Sequence, residues 1–203
     1  MVIESDQIMI LIATWKGHRN LLRTTLRPFF GFGRHPVILS YDDVQFPPEL
    51  QSLLLRLSAT MPNGIILATN GGWLKGRMGE CHNIINGCRA AIEKGCELIL
   101  KISGDVLINP EMIQSLIPEL DNADFITDLW GKPEKHMGTA FIFGRVKPLL
   151  ELSEGWLNFD QETRHFEKTY GLMAKEKGYA WLPRTHKWWR EKIDLIEVFD
   201  SYE

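Results

Sequence analysis

Apolar runs alternate with stretches of helical period through the first half of the chain. The run from Ile8 to Thr14 is apolar up to its last residue, the mark of a strand covered on both faces. Residues 18–30 place Leu21, Leu22, Thr25, Leu26 and Phe29 at helical spacing, and Gly31-Phe32-Gly33 ends that helix. Residues 36–41 read as a second buried strand running into Asp42-Asp43. Residues 47–58 read as a helix with proline in its first turn, and residues 65–68 as a third, short strand. After the Gly-rich segment Asn70-Gly71-Gly72, residues 76–94 are helical. Met78, Cys81, Ile85, Cys88 and Ile92 make an apolar stripe, while Gly76, Glu80, Asn83 and Gly87 make a small, polar face. Gly95 stops this helix and residues 98–102 form the next strand. Asn109-Pro110, a capping residue followed by proline, opens a helix to about residue 117. Strands are expected at 124–127 and 139–143, a helix at 161–177 closed by Gly178, and a last strand at 179–182.

Strands alternating with helices imply right-handed crossovers and a parallel sheet, an α/β fold. Ligands of such sheets bind beyond the carboxyl ends of the strands. That rule singles out Thr14, Asp42, Asp43, Asn70 and the segment from Ser103 to Asp105, all of which follow a predicted strand end. A length of 203 residues suits one domain with a sizeable core. The formal net charge of -3 gives no reason to expect a nucleic-acid partner. The cysteines, Cys81, Cys88 and Cys96, are odd in number and lack a Cys-x-x-Cys pair. They suggest neither a disulfide framework nor a zinc site, and the expected setting is the reducing cytoplasm. The first residues lack the basic segment and cleavage site of a signal peptide, and no run approaches the ~20 apolar residues of a membrane span. Trp188 and Trp189, beside Lys187 and Arg190, read either as packing or as a peripheral membrane anchor. The chain has no G-x-G-x-x-G after its first strand, no Walker-type loop and no G-x-S-x-G elbow. Cys81 and His82 are helical neighbours pointing apart by roughly 100°, so they do not form a nucleophile–base pair.

The stretch from Arg77 to Pro110, RMGECHNIINGCRAAIEKGCELILKISGDVLINP, resembles the GT-A glycosyltransferases, especially the family-2-like inverting enzymes. The shared features are a helix carrying Arg and Asn, a glycine, an apolar strand, a D-x-D motif and a helix started by proline. The resemblance extends over most of the chain. ILIATWKGHRNLL, ending at Leu22, is similar to the family's first strand and turn; VILSYDD, ending at Asp43, is similar to its second strand with paired aspartates. Gly138 to Arg145 resembles the acceptor-side strand, and Phe166-Glu167 with Gly178-Tyr179 the last helix and strand. The resemblance implies one GT-A domain over residues 1–203, with a nucleotide half to about residue 110 and an acceptor half after it. It implies transfer of a sugar from a UDP- or GDP-sugar donor to a hydroxyl acceptor, with inversion.

The residue types suit that chemistry. An aspartate at the second strand end can accept the N–H of uracil or guanine; by resemblance this is Asp42 or Asp43, and the sequence does not choose between them. Arg77 is expected to meet phosphate or base, and Asn83 and Ser103 to contact the nucleotide. The departing diphosphate develops negative charge, which a divalent cation, Mn²⁺ or Mg²⁺, neutralises through carboxylate ligands. Here D-x-D reads Ser103-Gly104-Asp105, so the resemblance leaves Asp105 as the metal ligand, with His186 as a second candidate. An inverting transfer needs a base for the acceptor hydroxyl. Counting back a dozen residues from Gly178-Tyr179 gives Glu167, with Glu162 one turn away. Two rivals stand beside this reading. One is a catalytically silent relative that binds nucleotide or a partner, which Ser103 and the short chain favour. The other is a nucleotidyltransferase, which needs a Gly-rich basic loop after the first strand where this chain has Thr14-Trp15-Lys16-Gly17-His18-Arg19.

Overall fold

The computed structural model describes residues 8–14, 35–43, 45–46, 48–59, 65–69, 77–104, 106–108, 113–128, 135–158, 166–184 and 196–198. At its centre lies β1 (Ile8–Thr14), buried along its whole length. It pairs in parallel with β2 (Val37–Tyr41) on one side and with β4 (Leu98–Ser103) on the other. Helix α1 (Pro48–Ser58) connects onward to β3 (Ile65–Thr69), which extends the parallel set at the edge. Helix α2 (Arg77–Glu93) precedes β4.

The second half reverses direction once. After β5 (Val106–Ile108), the short α3 (Ile113–Leu116) and a 3₁₀ turn at Ile117–Asp121 comes β6 (Phe125–Asp128). Then β7 (Phe141–Arg145) runs antiparallel to both β4 and β6. Helices α4 (Val146–Leu157) and α5 (Phe166–Glu176) lead to β8 (Trp181–Arg184), parallel to β6. Among the described residues the main sheet therefore has the order β3-β2-β1-β4-β7-β6-β8. Strands β1, β4, β6 and β8 all point one way, and the residues entering β7 reach the same edge as their carboxyl ends. A separate antiparallel pair joins β5 to β9 (Ile196–Val198).

The unbroken apolar runs now have a reason: strand residues alternate between two cores. Ile8, Ile10, Ile12, Leu98, Leu100 and Ile102 face one layer, with Leu54 of α1 and Ile113 and Leu116 of α3. Met9, Leu11, Ile38 and Ile99 face the other, which α2, α4 and α5 cover. Burial of this kind stabilises by roughly 25 cal/mol per Å² of apolar surface removed from water.

The mixed, mostly parallel sheet flanked by helices is the expected architecture, with strand ends shifted by one or two residues. Three elements were not expected. Helix α4 carries Pro148 and Gly155, which read as breakers. Pro148 falls in the first turn, where no intrahelical N–H is lost, and Leu149, Leu152, Ser153 and Trp156 bury one helical face. Strands β5 and β9 are too short to show a period. The described part of the helix expected from Asn109 is only α3 and its 3₁₀ turn, with Pro118 in the turn. The helix expected at 18–30 lies outside the described residues.

The two faces of α2 also exchange roles. Its small face lies on the sheet: an alanine at Gly87 would bring its Cβ within 2.5 Å of the Leu11 side chain. Cys81 on the stripe turns toward α4, where its Sγ donates to the Ser153 carbonyl at 3.1 Å. The helix is thus covered on both sides. All three cysteines are buried, and none is in a disulfide. No helix among the described residues is long and apolar enough to cross a membrane.

Candidate active site

At the carboxyl edge of the sheet a cleft of about 170 Å³ is lined by Glu80, Ser103, Asp128, Thr139, Ala140 and Glu167. Each comes from a different piece of local structure. Glu80 sits in the first turn of α2 and Ser103 closes β4. Asp128 closes β6, and Thr139-Ala140 lead into β7. Glu167 sits in the first turn of α5, and its carbonyl accepts the Met137 N–H at 3.0 Å. The parts are tied to one another. Ser103 N–H donates to the Ala140 carbonyl at 2.9 Å, and Gly104 N–H to the Ala13 carbonyl at 2.8 Å. Asp128 is 3% exposed, and its Oδ1 accepts the Phe141 N–H at 3.0 Å. Gly138 permits this packing, because a Cβ there would stand 2.5 Å from the Asp128 carboxyl carbon.

Beneath the cleft lies Lys101, fully buried in β4 on the same strand face as Ser103. Its Nζ donates to Glu80 Oε1 at 2.5 Å, to Ser103 Oγ at 3.2 Å and to the Thr139 carbonyl. A buried ammonium is tolerated only when paired and hydrogen-bonded, and these three acceptors supply both conditions.

The nucleotide-side residues expected from sequence take up different positions. Thr14 ends β1 at 2% exposure; its carbonyl accepts the Asp42 N–H at 2.8 Å, and its buried hydroxyl has no hydrogen bond among the described residues. The Asp42 carboxylate rests against the first turn of α2, where a Cβ on Gly79 would fall 1.9 Å from its Oδ2. The positive end of the helix suits a carboxylate there. Asp43 is half-buried next to it, its N–H donating to the Tyr41 carbonyl at 2.9 Å. Arg77 is the first residue of α2. Asn83 lies further along the same helix. It is 2% exposed and faces β2, where its Oδ1 accepts from Ser40 Oγ at 2.6 Å, so it fastens helix to sheet. Asp105, Glu162 and His186, together with Asn70, lie outside the described residues.

No protein-family model matches this chain, and no curated protein matches it. Solved structures do. A nucleoside-diphosphate-sugar pyrophosphorylase from Vibrio cholerae RC9 aligns with TM-score 0.56 at 11% identity, over 89% of this chain and 93% of its own. The 4-diphosphocytidyl-2C-methyl-D-erythritol synthase from Anaerococcus prevotii DSM 20548 aligns with TM-score 0.60 at 12% identity, over 88% of this chain and 86% of its own. The chain has the nucleotide-diphospho-sugar transferase fold. A mannosyltransferase from Pyrobaculum calidifontis, in complex with GDP-Man and Mn²⁺, is similar at TM-score 0.60 and 10% identity, over 89% of this chain but 55% of its own.

In this nucleotide-diphospho-sugar transferase fold the polar cleft lies where the carboxyl-edge rule places a ligand. Several of its oxygens take part in hydrogen bonds within the protein. Ser103 Oγ and Glu80 Oε1 already accept from the Lys101 ammonium, and Asp128 Oδ1 accepts a backbone N–H. Among the described residues no three His, Cys, Asp or Glu side chains group as metal ligands. Glu80, Lys101 and Asp128 were not singled out from the sequence as site residues. The signals were present: a lysine interrupting the apolar run LILKIS, and an aspartate at a strand end, the same cue that drew attention to Asp105.

Proposed function

We propose that this protein transfers a sugar from a nucleoside-diphosphate sugar to a hydroxyl acceptor by single displacement with inversion. The observation that carries the reading is the joining of Glu167, from the acceptor half, and Ser103, from the end of β4, in one cleft. The acceptor oxygen bonds to the anomeric carbon as the bond from that carbon to the diphosphate oxygen breaks. The Glu167 carboxylate takes the acceptor proton, and the nucleoside diphosphate leaves with the bonding pair. Asp42 and Asp43, with Arg77 at the start of α2, are proposed to hold the nucleotide. Likeness to the mannosyltransferase in complex with GDP-Man supports a donor of this class.

The test is turnover of UDP- and GDP-sugars, read as release of UDP or GDP. Glu167→Gln should lower turnover at least 100-fold while donor affinity stays within about twofold, since a positioned general base contributes roughly 10²–10⁴. Unchanged turnover in that variant sinks the assignment.

One observation favours a second reading, nucleotidyl transfer. The aligned span takes in 93% of the Vibrio cholerae pyrophosphorylase but 55% of the mannosyltransferase. A nucleotidyl transfer forms the sugar nucleotide from a nucleoside triphosphate and a sugar phosphate and releases pyrophosphate. Pyrophosphate release under those conditions, without turnover of sugar nucleotides, decides for it.

A further inference from the structure

Lys101 lies in the middle of a strand that is otherwise apolar up to Ser103, with its side chain fully buried. An ammonium carries three hydrogens and no lone pair, so it donates in every hydrogen bond it makes. Its three acceptors are Glu80 Oε1, Ser103 Oγ and the Thr139 carbonyl. The contact between Lys101 and Ser103 is therefore one-directional: Ser103 Oγ accepts, and the hydroxyl proton is turned away from Nζ. Ser103 is half-buried and lines the cleft, so the cleft is where that proton finds an oxygen.

We infer that Lys101 is a positioning residue that fixes Ser103 as a hydrogen-bond donor to an anionic oxygen of the substrate, a phosphate oxygen of a nucleoside diphosphate. The inference rests on the proposed function for its substrate class. A serine free to rotate serves equally as donor or acceptor, and as an acceptor it can ligate a cation. The ammonium 3.2 Å from Oγ disfavours that option, since it takes one of the two lone pairs and repels a second positive charge. Ser103 is thus opposite in polarity to a carboxylate at the same place. The same ammonium holds Glu80 and Thr139, so two walls of the cleft are aligned with the donor hydroxyl.

Calorimetric titration with UDP and with GDP tests this, each in Mn²⁺ and in EDTA, on the full chain. Ser103→Ala should weaken the better-bound nucleotide about tenfold in both conditions, the size expected for one hydrogen bond to a charged group. Ser103→Thr keeps the hydroxyl and should stay within about threefold. Lys101→Met should reproduce the Ser103→Ala loss, and Ser103→Ala should then add nothing in the Lys101→Met background; a merely structural lysine gives additive losses. If Lys101→Met does not fold, the Ser103 series still decides. A Ser103→Ala loss seen only with Mn²⁺ makes Ser103 a cation ligand and overturns the inference. So does no loss at all, or full additivity of the pair. If the unaltered protein binds neither nucleotide in either condition, the proposed function falls, and the inference with it.

Discussion

The two edges of the main sheet each carry a cavity, and the larger is the less equipped of the two. At the amino edge about 430 Å³ opens between apolar Ile92, Cys96, Val146 and Pro148 and charged Glu97, Arg145 and Lys147. Of the hydrogen bonds there, Arg145 gives one at 3.3 Å to the Leu120 carbonyl, while Val146 N–H is taken by the Glu97 carbonyl at 3.0 Å. At the carboxyl edge about 170 Å³ is enclosed by three carboxylates, a serine and a threonine over a buried ammonium. Strand ends, a helix turn and backbone carbonyls hold these groups in place. Pre-organised polar groups, rather than volume, are what chemistry requires. Strand direction accounts for the contrast, because every parallel strand delivers its following residues to the same edge.

The contrast can be broken most directly by charge removal. Lys101→Met should cost about 1–3 kcal/mol of stability, because it leaves the partly buried Glu80 carboxylate and the Thr139 carbonyl without their donor. Lys147→Met, at the exposed amino edge, should stay within ~0.5 kcal/mol. Urea unfolding measures both, and equal costs would erase the distinction between the edges. A pair of glycines sharpens it further. Gly79→Ala collides with the Asp42 carboxylate and should cost about 1–3 kcal/mol, with weaker nucleotide binding. Gly95→Ala at the other edge meets no atom within 4 Å but sits at φ +73°, so about 1 kcal/mol is lost with nucleotide affinity intact.

The thiols give a smaller effect. Burial pushes the Cys81 thiol up to about 12, with the nearby Glu80 charge adding to the rise. Folding therefore favours its neutral form, and that stability is present below pH ~9 and lost as pH climbs toward 12. Native alkylation at pH 8, followed by mass spectrometry, should mark Cys96, which lines the amino-edge cavity, before Cys81, which is bonded to the Ser153 carbonyl. Cys81 reacting first would contradict this packing.

The smallest effect belongs to an exposed trio. The Glu151 carboxylate, bonded to Lys177 and to the Tyr179 hydroxyl, is held below the usual carboxylate range. Its contribution is present at neutral pH and fades as acid titrates it. The same bond pushes Tyr179 up to about 12, so its share is lost as pH rises from ~10 toward 12. Glu151→Gln should flatten both limbs of a melting-temperature profile against pH by slightly lowering the plateau near pH 7, the small effect of an exposed pair.

Much of the architecture was legible because both faces of the sheet are covered. Ile8–Thr14 and Val37–Tyr41 are buried on both faces, and the helices α1 and α2 that follow announce themselves by a proline start and a helical period. Helix α4 was not legible, because Pro148 and Gly155 mask a face that shows itself only when packed. The site divided along the same line. Ser103 and Glu167 follow from strand-end position and resemblance. Lys101 reads as an interruption until the sheet places Glu80 above it. Asn83 sits on a small, polar helix face, which suits a ligand and suits a sheet equally well, and its Oδ1 accepts from Ser40 of the sheet.

The pairing of β5 with β9 has a kinetic meaning. Val106 meets Val198 across nearly half the chain, so this ladder closes one of the longest loops in the molecule. The central β1–β4 pairing closes a loop almost as long, but it joins six residue pairs inside the core, whereas β5 and β9 join three, so the short ladder gains least on closure and forms late. The segment that follows Ser103 and Gly104 therefore gains its final anchor at the end of folding. Until β9 docks, β5, which begins three residues after Ser103, lacks its pairing strand. Refolding followed by core fluorescence should finish before the capacity to bind nucleotide appears.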